Sequence, residues 1–150
     1  MYSVIKVKTF EGMEGKGFNA TLCRDGKPIA FVIDEGCGGC YLWRWLVKDA
    51  ELPFKTHVRN EFPNEKFERE DMFIGRLIDQ WETEKQLRRW CRKEVLFRLK
   101  GDKPDTWRTL LAPYSPEAVA HLHKKYDPEI EEIANERFEP KPEEIPACVE

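Results

Sequence analysis

The dipeptide Asp25-Gly26, set between two β-like runs of sequence, constrains this chain's fold more than any other feature. An Asp-Gly pair in that position closes a two-residue hairpin, because glycine takes the positive φ that a type I′ turn requires. It commits Phe18–Cys23 and Ile29–Ile33 to be antiparallel neighbours. Phe18, Ala20 and Leu22 fall on one side of the first run. Upstream, Ser3–Phe10 alternates as a strand with one wet face, and Gly12, Gly15 and Gly17 punctuate the turn that follows. Ile29–Ile33 is apolar on both faces, which predicts a strand inside the sheet and covered by helix. Beyond a glycine-rich loop, Asp34–Gly39, the run Tyr41–Leu46 reads as a fourth strand. Together these predict an N-terminal antiparallel meander.

The next stretch, Lys48–Lys66, is polar and interrupted by Pro53 and Pro63, so a connecting loop is expected. Phe73, Leu77 and Trp81 then recur every fourth residue with Ile74 and Ile78 beside them, drawing one apolar helical stripe. The stripe weakens across Glu82–Gln86 and resumes at Leu87, Trp90 and Cys91. One long helix from Glu68 to Lys93 follows, with Thr83 the natural place for a bend. A second β pair is expected at Glu94–Lys100 and Thr106–Leu111 across the turn-rich Gly101–Asp105. Ser115 before Pro116 has the form of an N-cap followed by proline at the first helical position, and Asp127-Pro128 repeats it. Two short helices, Pro116–Tyr126 and Pro128–Phe138, are therefore predicted. Three prolines after Phe138 cannot continue a helix, which makes 139–150 an extended Pro/Glu-rich tail.

The expected fold class is α+β. An antiparallel sheet, the N-terminal meander plus the second β pair, packs against one long helix, with two short C-terminal helices completing a single domain over 1–138. A chain of 150 residues suits one core of this size. No apolar run approaches the ~20 residues of a membrane helix. The N-terminus lacks the basic-then-apolar form of a signal peptide, and five cysteines are an odd number for a disulfide framework. A reducing cytoplasm is the expected location.

A net charge of −3 is too mild for a polyanion-binding protein as a whole, but the charges are unevenly placed. Lys85, Arg88, Arg89, Arg92, Lys93, Arg98, Lys100, Lys103 and Arg108 fall in one stretch, and the acids gather after Asp127. Such asymmetry either builds a basic face for an acidic partner or is neutralised by one segment lying against the other. Both readings stand at this level.

Cys37-Gly38-Gly39-Cys40 is the one constellation with ligand spacing. Two thiolates two residues apart can grip zinc, and a structural site then needs two more ligands from Cys91, Cys23, His57 or the His121/His123 pair. The alternatives are a redox dithiol and a plain Gly-Gly turn with incidental cysteines. The loop is not a phosphate cradle, since a strand and not a helix is expected after it. His121 and His123, two apart on a predicted helix, point about 200° away from each other. No Ser–His–Asp set, H-E-x-x-H or G-x-S-x-G is present, and a non-catalytic protein is expected. Tyr41, Trp43 and Trp45 alternate along one strand beside Arg44. They suit stacking of unpaired bases, anchoring of a protein interface, or core packing beneath the helix against Trp81 and Trp90. Arg88, Arg89, Arg92 and Lys93 cluster at one helix end and add to the binding options.

Taken in order, Gly15–Leu22 (G-K-G-F-N-A-x-L), Asp25–Lys27, Val32–Gly39 (V-I-D-E-G-x-G-G), Leu96–Arg98, Trp107–Leu110, Tyr114–Pro116 and Lys124–Tyr126 form a pattern running from Phe10 to Phe138. In that pattern the chain resembles small accessory proteins carried by bacteriophages and plasmids. Cys37 and Cys40 stand outside the shared pattern. The resemblance implies no catalytic residue. It implies a protein that occupies a surface of a host protein or ribonucleoprotein complex in the bacterial cytoplasm, with inhibitors of defence systems of the CRISPR type as one instance. A nucleic-acid-binding accessory protein using Tyr41, Trp43, Arg44 and the Arg88–Lys93 cluster is the alternative, and a zinc-supported domain at Cys37 and Cys40 the second.

Overall fold

In a computed structural model of the chain, residues 1–139 are described, and they form an α+β fold. The predicted tail, but for Glu139, lies outside the described residues, as does Cys148. Where the sequence reads as one domain over 1–138, residue contacts divide the chain into two compact units, Met1–Glu82 and Thr83–Glu150. Among the described residues no helix is long and apolar enough to cross a membrane.

The first unit opens with the expected meander: β1 (Tyr2–Glu11), β2 (Lys16–Arg24), β3 (Lys27–Asp34) and β4 (Leu42–Trp45), antiparallel and in sequence order. Arg24 pairs with Lys27 across the hairpin, and both turn residues have positive φ, 51° at Asp25 and 78° at Gly26. This is the backbone of a type I′ turn. Register then decides which side chains meet. Val4, Leu22, Ala30 and Trp45 lie in one row across the four strands, and Ala20, Val32 and Trp43 in the next. Their shared face is the core.

β1 keeps its place on that face through a bulge. Pairing is irregular between Ile5 and Lys8, and Lys6 has a φ of 52°. The extra residue shifts the alternation, so Val4 and Val7, three apart, are both buried. β3 lies inside the sheet as predicted, but only one of its faces is fully covered. Ala30 and Val32 are completely buried, whereas Phe31 is 39% exposed on the other side.

The expected loop at Lys48–Lys66 is instead largely helical. α1 spans Glu51–Glu61 and buries only Phe54 and Val58, one turn apart. Pro53 is harmless there, because N–H groups in a first helical turn have no partner within the helix. The start of α2 (Arg69–Cys91) adds Phe73, Ile74 and Ile78 to the same core. Phe54 is its hub. Its ring centroid lies 5.3 Å from Tyr2, 5.4 Å from Trp43, 5.8 Å from Trp45 and 5.7 Å from Phe73.

The second unit contains the predicted β pair, β5 (Val95–Leu99) and β6 (Arg108–Leu110), and the predicted helix α3 (Pro116–Tyr126). Ser115 caps α3 as expected, its Oγ accepting the Ala118 N–H at 3.1 Å. The second short helix, predicted at Pro128–Phe138, is not formed as such. Ile130–Ile133 is a strand, β7, and only Ala134–Phe138 is helical, as a short 3₁₀ segment. β7 pairs with the free edge of β5, giving a three-stranded sheet in the order β6-β5-β7. The reason is burial. β5 is covered on both faces, with Val95, Phe97 and Leu99 packing with Leu122 of α3 and Ile133, and Leu96 turned towards Leu87 and Ala134. A buried strand edge leaves its backbone polar groups to be satisfied, and β7 satisfies them.

Candidate functional site

The glycine-rich loop carrying Cys37 and Cys40 is a structural joint. Asp34 Oδ1 accepts the Gly36 N–H at 2.9 Å, and the Gly36 carbonyl accepts the Glu14 N–H at 2.8 Å. Gly36 has φ +67°, and a Cβ built on it would lie 2.7 Å from the Gly15 carbonyl oxygen. A Cβ on Gly12 would lie 2.6 Å from the carbonyl oxygen of Gly36. Backbone therefore meets backbone here, and glycine is required for the approach. Cys37 and Cys40 are exposed free thiols at the outer end of the loop. Among the described residues, no group of three or more His, Cys, Asp or Glu is placed to hold a metal ion. Among the described residues, then, the pair has no neighbouring ligands to complete a tetrahedral zinc site.

Trp43 and Trp45 face inward. They stack on each other at 5.4 Å with an interplanar angle of 12°, and both lean on Phe54. Tyr41 precedes the strand, which is shorter than the predicted Tyr41–Leu46, and its ring meets Phe18 edge-on at 5.1 Å. Burial, with Asp34 and Asp71 nearby, pushes the Tyr41 phenol up to about 12. All three aromatics are half-buried against the core. Arg44 points the other way and is exposed, paired in register with Phe31. The outer sheet face thus sets Arg44 among Ile5, Phe31 and Leu42, three exposed apolar residues that sequence reasoning passed over. The face that a helix covers cannot be told from alternation alone when both faces carry apolar residues.

At the far end of α2 the basic residues divide into two classes. Arg98 donates to Glu131 and Glu132, each at 3.0 Å, and to the Pro104 carbonyl, and its side chain is only 15% exposed. Arg137 pairs with Glu132 as well. The Trp107 ring has Arg98 5.2 Å and Arg137 5.3 Å from its centroid. Arg108 holds Asp102 through two bonds, 2.7 and 2.9 Å. These arginines are neutralised within their own unit. Arg89, Arg92 and Lys93, by contrast, are exposed and form no ion pair with any described residue. Arg88 has only a loose, exposed contact with Glu84 at 3.7 Å. The self-neutralising reading therefore holds for Arg98, which lies against Glu131 and Glu132, while Arg89, Arg92 and Lys93 stay unpaired among the described residues.

The free basic residues occupy two sides of the helix end. Arg89 and Lys93 are exposed next to and three residues beyond Trp90, which is itself 50% exposed. The apolar stripe had suggested Trp90 as a core residue packing with Trp43 and Trp45. Arg88, Cys91 and Arg92, at the complementary spacing, line an open cleft of about 350 Å³ with Tyr114, Phe138 and Glu139. Nothing in the spacing of Tyr114 and Phe138 links them to α2 in sequence; the segment between β6 and α3 brings Tyr114 there, and the return of the chain after β7 brings Phe138. Burial raises the Cys91 thiol above its ordinary value, and burial with the nearby carboxylates of Glu139 and Glu136 raises the Tyr114 phenol. Both groups are protonated at neutral pH. No protein-family model, curated protein or solved structure matches the chain.

Proposed function

We propose that the protein is a non-catalytic binding module that sets Trp90, Arg89 and Lys93 against an acidic surface of a larger assembly. One observation carries this reading. An exposed tryptophan sits among cations with no ion-pair partner among the described residues, in a unit whose other arginines are tied to carboxylates. Tryptophan and arginine are the residues that dominate binding hot spots, and unneutralised charge speeds encounter with a complementary partner. The resemblance to phage and plasmid accessory proteins supplies the setting. The partner is then a host protein or ribonucleoprotein complex in the bacterial cytoplasm, and the outcome of binding is its modulation, as by an inhibitor of a CRISPR-type defence complex.

The test is affinity capture from bacterial lysate with the tagged full chain and with a Trp90→Ala/Arg89→Glu/Lys93→Glu variant. The expected result is a stoichiometric complex held by the wild type and lost by the variant. A wild type that retains nothing, or a variant that retains the same complex, overturns the reading.

A second reading rests on the outer sheet face, where Phe31 lies beside Arg44 across one register step. An aromatic ring on an open sheet next to a guanidinium suits the stacking of unpaired bases. It separates from the first by salt. Nucleic-acid binding falls steeply as salt rises and depends on Phe31, not on Trp90.

A further inference from the structure

We propose that the cleft between the end of α2 and the 3₁₀ segment binds a small phosphomonoester of nucleoside monophosphate size, with Arg88 and Arg92 gripping the phosphate. The cleft, at about 350 Å³, is large enough for such a ligand. Arg88 and Arg92 are four residues apart across the end of α2 and both line the cleft, so one site has two planar guanidinium forks on its wall. Arg92 has no ion pair with a described residue to compete for it. Arg88 is held in place from beneath, its guanidinium 4.9 Å from the centre of the Phe138 ring. A fork braced on an aromatic face loses less freedom on binding than a free one.

The remaining lining defines the other end of the ligand. Glu139 puts a carboxylate in the same cleft, which disfavours a bare or multiply charged anion and favours a ligand that also carries hydrogen-bond donors. Hydroxyl and amino groups of a nucleoside are such donors. The Tyr114 phenol, kept protonated, donates to the Glu139 carboxylate and so steadies the acceptor that the ligand's donors meet, while the protonated Cys91 thiol contributes soft wall and no nucleophile. Asn135 also borders the cleft, but its amide is fully engaged with the Leu96 N–H and the carbonyls of Cys91 and Glu94. It braces the floor and is not available to a ligand. The site therefore recognises a phosphate at one end and a donor-bearing body at the other, and no bond is made or broken.

Isothermal titration of the full chain tests this with adenosine and uridine 5′-monophosphates, inorganic phosphate and adenosine as probes. At least one nucleotide is expected to bind, more tightly than either phosphate or adenosine alone. Arg92→Ala is expected to weaken it at least tenfold, and Glu139→Gln to narrow its advantage over inorganic phosphate. Neither variant removes a core side chain, and an unchanged melting midpoint verifies that each is folded. Absence of binding by either nucleotide at millimolar concentration, or binding indifferent to Arg92→Ala, overturns the proposal. Inorganic phosphate binding as tightly as the nucleotides overturns it too. Arg89 and Lys93 do not line the cleft, so their replacement by alanine is expected to weaken nucleotide binding far less than Arg92→Ala does, which separates this outcome from that of the capture experiment.

Discussion

The side chain of Asn135 continues the sheet of the second unit where its backbone stops. β7 pairs with β5 as far as the Phe97–Ile133 rung, after which the chain turns into the 3₁₀ segment. Asn135 Oδ1 then accepts the Leu96 N–H at 3.0 Å, and its Nδ2 donates to the carbonyls of Cys91 and Glu94 at 3.0 and 2.9 Å. One buried amide thus joins the end of α2, β5 and the C-terminal turn. Asn135→Ala leaves the buried Leu96 N–H without a partner. We expect it to cost about 3 kcal/mol, at the upper end for one unsatisfied buried group because further bonds are lost with it. Urea denaturation followed by tryptophan fluorescence measures this, and a loss below about 0.5 kcal/mol would contradict the role given to the amide.

Two glycines with similar backbone angles should respond differently to alanine. Gly26 has φ +78° but open space where a Cβ would stand, so Gly26→Ala pays only the left-handed backbone cost, about 1 kcal/mol. Gly36 has φ +67° and backbone atoms of Gly15 and Gly12 at 2.7 and 2.9 Å from the same point. Gly36→Ala must both adopt the strained φ and force two chain segments apart, with an expected loss of about 3 kcal/mol. Thermal melts of the two variants side by side decide it. Equal losses would show that the joint between the two loops yields.

Asp102 sets an acid limit on the second unit. The Arg108 guanidinium and the Leu99 N–H, which Asp102 accepts at 3.0 Å, hold its carboxyl down to about 2 from an ordinary 3.8. A depressed carboxyl stabilises the folded chain above its unfolded value. That contribution is therefore complete above 3.8 and is lost as pH falls towards about 2. Asp102→Asn should lower the melting midpoint at neutral pH and flatten its fall across this acid window. A variant whose midpoint falls with acid as steeply as the wild type's would show that other carboxyls govern the limit.

Much of this architecture is legible in the residues themselves. Asp25-Gly26, the Phe73–Ile78 stripe and Ser115-Pro116 each state a local rule that the fold obeys. α1 and β7 are not legible, because both are decided by distant contacts. Only Phe54 and Val58 of α1 reach the core, too few to draw a stripe through a polar segment with Pro53 in it. In β7, Glu131 and Glu132 look like a solvated helix start until Arg98, more than 30 residues away, takes both carboxylates. The short motifs singled out between Gly15 and Tyr126 mostly fill scaffold positions. Gly17 packs under the Phe10 ring, Gly36 makes the loop joint, Ser115 caps α3, and Trp107 lies against Arg98 and Arg137. Those motifs speak for the shape and leave the residues of the proposed binding surface to be found by exposure. Trp90 illustrates the difficulty: its spacing is that of a core residue, and only the folded chain turns it outward.

The bulge at Lys6 has a further effect on how copies of this protein meet. β1, ten residues long, is an edge of its sheet, and a straight edge of that length invites another strand to dock on its unpaired N–H and carbonyl groups. The irregular backbone between Ile5 and Lys8, with a lysine at each of positions 6 and 8, breaks the ruled spacing a newcomer would need. The other edge, β4, offers only four residues. The same kink that keeps Val7 in the core thus caps the sheet at four strands and discourages growth into fibres, even where molecules crowd together.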